Sequence, residues 1–236
     1  MRVVSLVPSS TETLRAWGID PIACTRYCEQ PDLPTVGGTK NPDLDTIVAL
    51  RPDLVVMDTT ENLREHAEVL RDRGVAVLAT DIHAVADVGP ELRRLGDALG
   101  LPSAAGLTDE ISEAIAATPG AEPTSGPRLR AFVPIWRRPW MTLSGRTYGS
   151  SVLAAIGVAN VYADATDWFP TVTLDDVAGH SPDVVLAPTE PYEFRPPHLE
   201  ELAAVAPVQV VDGRDLFWWG VRTPGALRRL RARLLS

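Results

Sequence analysis

The chain repeats part of itself, and that repeat limits its fold more than any other feature. Residues 44–59, LDTIVALRPDLVVMDT, and residues 174–189, LDDVAGHSPDVVLAPT, align without a gap at a spacing of 130 residues. Leu44 and Leu174, Asp45 and Asp175, Pro52 and Pro182, Asp53 and Asp183, Val55 and Val185, and Thr59 and Thr189 coincide. Each copy reads as a short helix, a Pro-Asp turn and a buried strand. A fainter echo pairs Leu14–Gly18 with Leu153–Gly157. A period this long is no solenoid repeat. It predicts two α/β lobes of one design, each with a parallel sheet flanked by helices.

The stretch between the copies predicts a single interlobe helix over residues 102–118. Ser103 can cap it by accepting a first-turn N–H, Leu107, Ile111 and Ile115 form one apolar stripe, and Pro119 and Gly120 stop it. The expected division is 1–101 for an N-terminal lobe, 102–119 for the connecting helix and 120–236 for a C-terminal lobe. In the first lobe, strand 2–7 ends at Pro8, and Ser9 or Ser10 caps a helix through Trp17, with Glu12 near capping-box spacing. Strands 21–25, 53–57 and 75–79 alternate with helices 43–51, 61–73 and 85–99. That alternation predicts a parallel sheet covered by helices. In the second lobe, strand 128–134, helices 149–157 and 197–205, strand 207–211 and helix 224–235 continue the pattern. Residues 215–219 read as a loop.

The net charge of −9 argues against nonspecific nucleic-acid binding. No run approaches the ~20 apolar residues of a membrane span. Met1 is followed at once by a strand, so no secretory leader is visible. The chain as it stands reads as cytoplasmic, or as extracytoplasmic if a leader was removed. Two cysteines, Cys24 and Cys28, are too few for a zinc site; no metal site is expected, and buried thiols are. Walker A, GxSxG, GxGxxG and HExxH motifs are absent, so no catalytic residues and no intrinsic cofactor are assigned.

Ligands of open α/β sheets collect beyond the carboxyl ends of the strands. The loops expected there contain Tyr27, Lys40, Trp136, Arg137, Arg138, Trp140, Trp168, Phe169, Glu190, Tyr192, Trp218 and Trp219. Lys40 is the only lysine, and five of the six tryptophans lie in the second-lobe loops. Flat aromatic faces beside arginines suit a large planar ligand with a polar edge. His180 reads as a partly buried histidine.

The opening RVVSLVPSSTETLRAWGI, the loop TRYCEQP, the stretch GGTKNPDLDTIVALRPDLVV and the later WFPTVTLDDV together resemble the helical-backbone periplasmic binding proteins, above all the cobalamin-binding proteins of ABC importers. The resemblance implies a non-catalytic solute-binding protein that holds a corrinoid or related metal chelate in the cleft between two lobes. Haem or ferric-siderophore binding by the same fold, or a chelatase-type tetrapyrrole enzyme, stand as alternatives. It implies pocket positions at Tyr27 and Phe169, and at Thr39, the repeat mate of Phe169. Asp45 and Asp175 match the acidic residues that dock on an ABC permease. A monomer with a small-molecule partner is expected.

Overall fold

The computed structural model describes residues 1–101, 104–117 and 129–235. The chain divides into two compact units: residues 1–82, 86–113 and 219–222 form one, and residues 83–85, 114–218 and 223–236 the other. In the first, β1 (Val3–Ser5) leads through α1 (Pro8–Ala16), β2 (Ala23–Cys24), α2 (Leu44–Ala49), β3 (Leu54–Asp58), α3 (Arg64–Asp72) and β4 (Val77–Thr80) to α4 (Val88–Ala98). The helix α5 (Ala104–Ala116) contributes residues to both units. The second unit holds β5 (Arg130–Phe132), the hairpin β6 (Pro134–Trp136) and β7 (Trp140–Thr142), α6 (Tyr148–Ala155), β8 (Ala159–Asn160), β9 (Thr171–Val172) and α7 (Leu174–Gly179). After these come β10 (Val184–Pro188), α8 (Pro196–Ala203), β11 (Val208–Val211), α9 (Gly213–Phe217) and α10 (Thr223–Leu234).

Both main sheets are parallel and share one topology. The first has the order β2-β1-β3-β4, the second β8-β5-β10-β11. In each, the first strand in sequence lies between the second and the third. The fold class is therefore the expected one.

Alternation along the strands explains why helices cover both faces of the first sheet. Val4, Val55 and Met57 pack with Ile47 of α2 and Leu70 of α3. Their neighbours Val3, Leu54 and Val56 pack with Leu14 of α1 and Leu95 of α4. In the second unit Phe132, Val185 and Ala187 pack with Val177 of α7 and Leu202 of α8.

The repeat rests on an arginine clamp at the entrance of each sheet. The Arg2 N–H donates to Asp53 Oδ2 at 2.6 Å, and its guanidinium donates to the carbonyls of Leu50 and Arg51 at 2.8 and 3.3 Å. The Arg130 N–H donates to Asp183 Oδ2 at 2.8 Å, and its guanidinium donates to the carbonyls of His180 and Ser181 at 2.8 and 3.4 Å. Arg51 and Ser181, 130 residues apart, both turn left-handed, with φ of 48° and 49°. The freed carbonyls at the ends of α2 and α7 thus gain donors.

Several expectations are corrected. Pro8 does not end a strand but opens α1: Val7 is the N-cap, without a side-chain cap bond. Proline suits the first helical turn because its missing N–H would have no partner there. Ser9 and Ser10 are buried, and Glu12 pairs with Arg222 instead of closing a capping box. Residues 215–219 are not all loop, since α9 runs to Phe217, capped by Asp212. His180 is exposed, its ring 4.5 Å from that of Tyr162. The antiparallel sheet β6-β7-β9 was not anticipated. Ser103, Pro119, Gly120 and the side chain of Leu107 lie outside the described residues.

Residues 219–222 pack on α1 within the first unit. Arg222 donates to both Glu12 oxygens at 2.9 and 2.7 Å. Gly220 has φ of 106°, and a Cβ there would collide with the Thr13 hydroxyl.

Arg2→Ala and Arg130→Ala should each cost about 1 kcal/mol of stability, the usual value of such hydrogen bonds. Because the clamps lie in different units, the double variant should lose their sum to within about 0.5 kcal/mol. Urea unfolding of the four proteins measures both quantities.

Candidate functional site

The second unit gathers most of the aromatic side chains. Its hairpin β6–β7 turns at Arg137–Pro139, and the loop after β10 runs alongside. Trp136, 46% exposed, meets Tyr192 edge-on with ring centres 5.2 Å apart. Trp140 stacks on Phe194 at 6.0 Å with planes 12° apart, and Tyr192 lies 4.9 Å from Phe194 and 5.7 Å from His198. Arg137 donates to both oxygens of Glu201 at 3.0 and 2.6 Å, and its guanidinium sits 5.6 Å from the Trp140 ring. That bond holds the Glu201 carboxyl below its ordinary range. Beside this cluster opens a cavity of about 520 Å³ lined by Arg137, Arg138, Tyr192, Glu193, Arg195 and His198.

Two further aromatic–cation pairs belong to the same unit. Trp168 lies edge-on to His83 at 4.7 Å and beneath the Arg146 guanidinium, also at 4.7 Å. Phe169, its neighbour, is 41% exposed. Gly145 lets these loops approach, since a Cβ there would fall 2.5 Å from the Ala163 carbonyl oxygen. Arg214 lies 5.1 Å from the Trp218 ring and 4.0 Å from the Glu190 carboxylate. A Cβ on Gly213 would sit 2.6 Å from the Glu190 carbonyl oxygen, so only glycine allows that approach.

In the first unit, Tyr27 stands on a single 3₁₀ turn, 53% exposed, with the Arg26 guanidinium 5.3 Å from its ring. A Cβ on Gly38 would crowd Tyr27 Cε2 at 3.2 Å, so the glycine lets the 37–42 loop lie against the tyrosine. Lys40 Nζ is exposed and donates to the Thr60 carbonyl at 2.7 Å. Thr39 is only 9% exposed, and its carbonyl accepts from Asn62. Trp219 is 4% exposed and belongs to the first unit, so core packing describes it better than a pocket wall. Asp45 and Asp175 occupy matching first turns of α2 and α7; both are exposed, and Asp45 pairs with Arg73.

The structure therefore brings Trp136, Arg137, Trp140 and Tyr192 together, and it places Trp168, Glu190 and Trp218 each beside an arginine. Sequence reasoning missed Phe194, Arg195, His198 and Glu201. The alternation of aromatic residues at Tyr192 and Phe194 was the available signal. Among the described residues, no group of three or more His, Cys, Asp or Glu side chains could hold a metal ion, and no helix is long and apolar enough to cross a membrane.

Two parallel-sheet units of one topology, with exposed aromatic and basic loops, define a two-unit binding-protein architecture. The pattern of the periplasmic binding protein family matches residues 3–213, and the chain belongs to that family. It is 26% identical over 189 residues to the vitamin B12-binding protein of Salmonella choleraesuis (strain SC-B67), covering 78% of this chain and 71% of that one. It is 27% identical over 193 residues to the vitamin B12-binding protein of Photorhabdus laumondii, covering 79% and 70%. Among solved structures it resembles the periplasmic vitamin B12 binding protein BtuF of Vibrio cholerae, with TM-score 0.82, 20% identity and coverage of 99% and 96%. It also resembles the periplasmic heme-binding protein RhuT of Roseiflexus sp. RS-1, with TM-score 0.83, 22% identity and coverage of 98% and 96%.

Cys24 and Cys28 flank the turn that presents Tyr27, and both thiols are free and buried. The Cys28 thiol is held below its ordinary range, first by a hydrogen bond from Cys24 and then by the Thr11 and Thr25 hydroxyls, against the opposing effect of burial. Those hydroxyls lie 3.2 and 3.3 Å from its sulfur. Cys24 is pushed up by the same bond and by burial. A depressed acid stabilises the fold fully above its unfolded value near 9, and that contribution is lost as pH falls through the lower folded value. Thiolate absorbance of the folded protein should appear at lower pH than that of an ordinary cysteine. The midpoint should rise in Cys24→Ala and leave this range in Cys28→Ala. A wild-type protein that shows no thiolate below about pH 8 would contradict the assignment.

Proposed function

We propose that the protein is a non-catalytic solute-binding protein whose ligand is a corrinoid or a related metal chelate. The observation that carries this reading is the set of tryptophan and tyrosine faces held beside arginines in the second unit. A planar macrocycle with polar edges is the ligand such a surface suits. The names of the curated relatives, vitamin B12-binding proteins, support the corrinoid. The likeness to heme-binding structures favours haem as the second candidate.

Within the second unit we assign ligand contact to Trp136, Arg137, Trp140, Trp168, Phe169, Glu190, Tyr192 and Trp218; within the first, Tyr27 and Lys40 are the proposed binding residues of that unit. Thr39 and Trp219 are more buried than a ligand contact requires and enter only as backbone and packing support. Asp45 and Asp175 are the proposed docking points for an ABC permease, because equivalent first turns present both carboxylates to solvent. Such a partner requires the protein to work outside the cytoplasm.

Absorbance titration with cobalamin, cobinamide, haemin and ferric siderophores separates the candidates. One of the first three should bind; failure of all three would overturn the reading. Trp136→Ala and Tyr27→Ala should each cost about 2 kcal/mol of binding, close to thirtyfold in affinity. Trp219→Ala should instead lower the melting temperature. Unchanged affinity in both pocket variants would remove these residues from the site.

A further inference from the structure

The cavity beside Tyr192 is basic in a chain whose net charge is −9. Its six lining residues include three arginines and one carboxylate, that of Glu193. Arg137 is already committed to Glu201 through two hydrogen bonds, which fixes its guanidinium and neutralises that pair. The charges left facing the cavity are those of Arg138 and Arg195 against Glu193, and both arginines are exposed.

The histidine adds a directed donor. The Arg195 N–H donates to His198 Nδ1 at 3.2 Å. Nδ1 is thereby an acceptor, so the proton of the neutral ring sits on Nε2, which is left as a donor. Pro196 and Pro197 open α8 without N–H groups, so its first turn offers fewer backbone donors than most helix starts. Recognition at this cavity falls to side chains. A volume of about 520 Å³ exceeds what one acid group needs and leaves room for part of the molecule that carries it.

We propose that this cavity receives an anionic oxygen group, a phosphate or a carboxylate, carried on the periphery of the chelate, and that Arg138 and Arg195 make the protein prefer chelates with such groups over neutral ones. This rests on the chelate reading of the second-unit loops given above. Arginine forks match both anions in geometry, and charge-assisted bonds of this kind are about twice as strong as neutral ones.

Tryptophan fluorescence titrations of the full chain test it with two pairs: cobalamin against cobinamide, which lacks the phosphate along with its ribose and base, and haemin against haemin dimethyl ester, which lacks the free carboxylates. Within the pair that binds, the member that carries the anionic group should bind about tenfold more tightly, and the margin should shrink as salt is added. The double variant Arg138→Gln/Arg195→Gln should lose the salt-sensitive part of that margin while binding the member without the anionic group as the wild type does. Both side chains are exposed, and an unchanged melting temperature checks the fold. Equal binding within the pair, or a salt-sensitive margin that survives in the double variant, overturns the inference and leaves the chelate reading standing. If none of the four compounds binds, both fall together.

Discussion

The arginine clamp is the contact on which each sheet depends. One residue at the entrance of the first strand binds the aspartate that opens the third strand and the carbonyls that close the helix before it. In the first unit this aligns Val3 with Leu54, and in the second Ala131 with Val184. A slip of one residue would turn Val4 and Phe132 from one covered face to the other. With the register fixed, the carboxyl ends of the strands are fixed too, and so are the loops with Tyr27, Glu190 and Trp218. The buried network around Asp58 shows how tightly one such end is held. Its carboxylate accepts from the Thr80 hydroxyl at 2.7 Å and from the Thr60 N–H at 2.9 Å.

The sequence made the two-unit α/β plan legible because each half writes helix, turn and strand in contiguous residues. The Pro-Asp turn and the apolar run after it are local signals, and both copies carry them. The clamp itself could not be read that way, since Arg2 and Arg130 lie outside the aligned stretch and act on residues about fifty positions away. The sheet β6-β7-β9 was hidden for a different reason. Strands of two or three residues, such as Thr171–Val172, are too short to show a period. At Pro8 the same residue type can end a strand or begin a helix, and only the backbone decides.

The candidate site was legible in composition more than in position. Tryptophans beside arginines identified the second-unit loops, and Trp136, Arg137, Trp140 and Tyr192 do assemble there. Thr39 was reached by adding the repeat spacing to a loop that differs in length and packing between the copies, and its side chain is buried. Trp219 was grouped with Trp218 by adjacency, although successive residues after a helix end can face different surroundings. Phe194, in the loop after β10, completes the cluster beside Tyr192, and Glu201 reaches the hairpin from α8, a tertiary placement that no local pattern states.

The strap of residues 219–222 gives the chain an order of completion. Ribosomal synthesis delivers the first unit's strands and helices early, yet Gly220 and Arg222, which lie on α1, come only after residues 114–218 of the second unit. Thr13 and Glu12 therefore wait with their partners missing while the second unit emerges and folds. The unit whose strands are translated first is thus completed only after most of the other has been made, and a nascent chain cut short of Arg222 leaves that surface of α1 open.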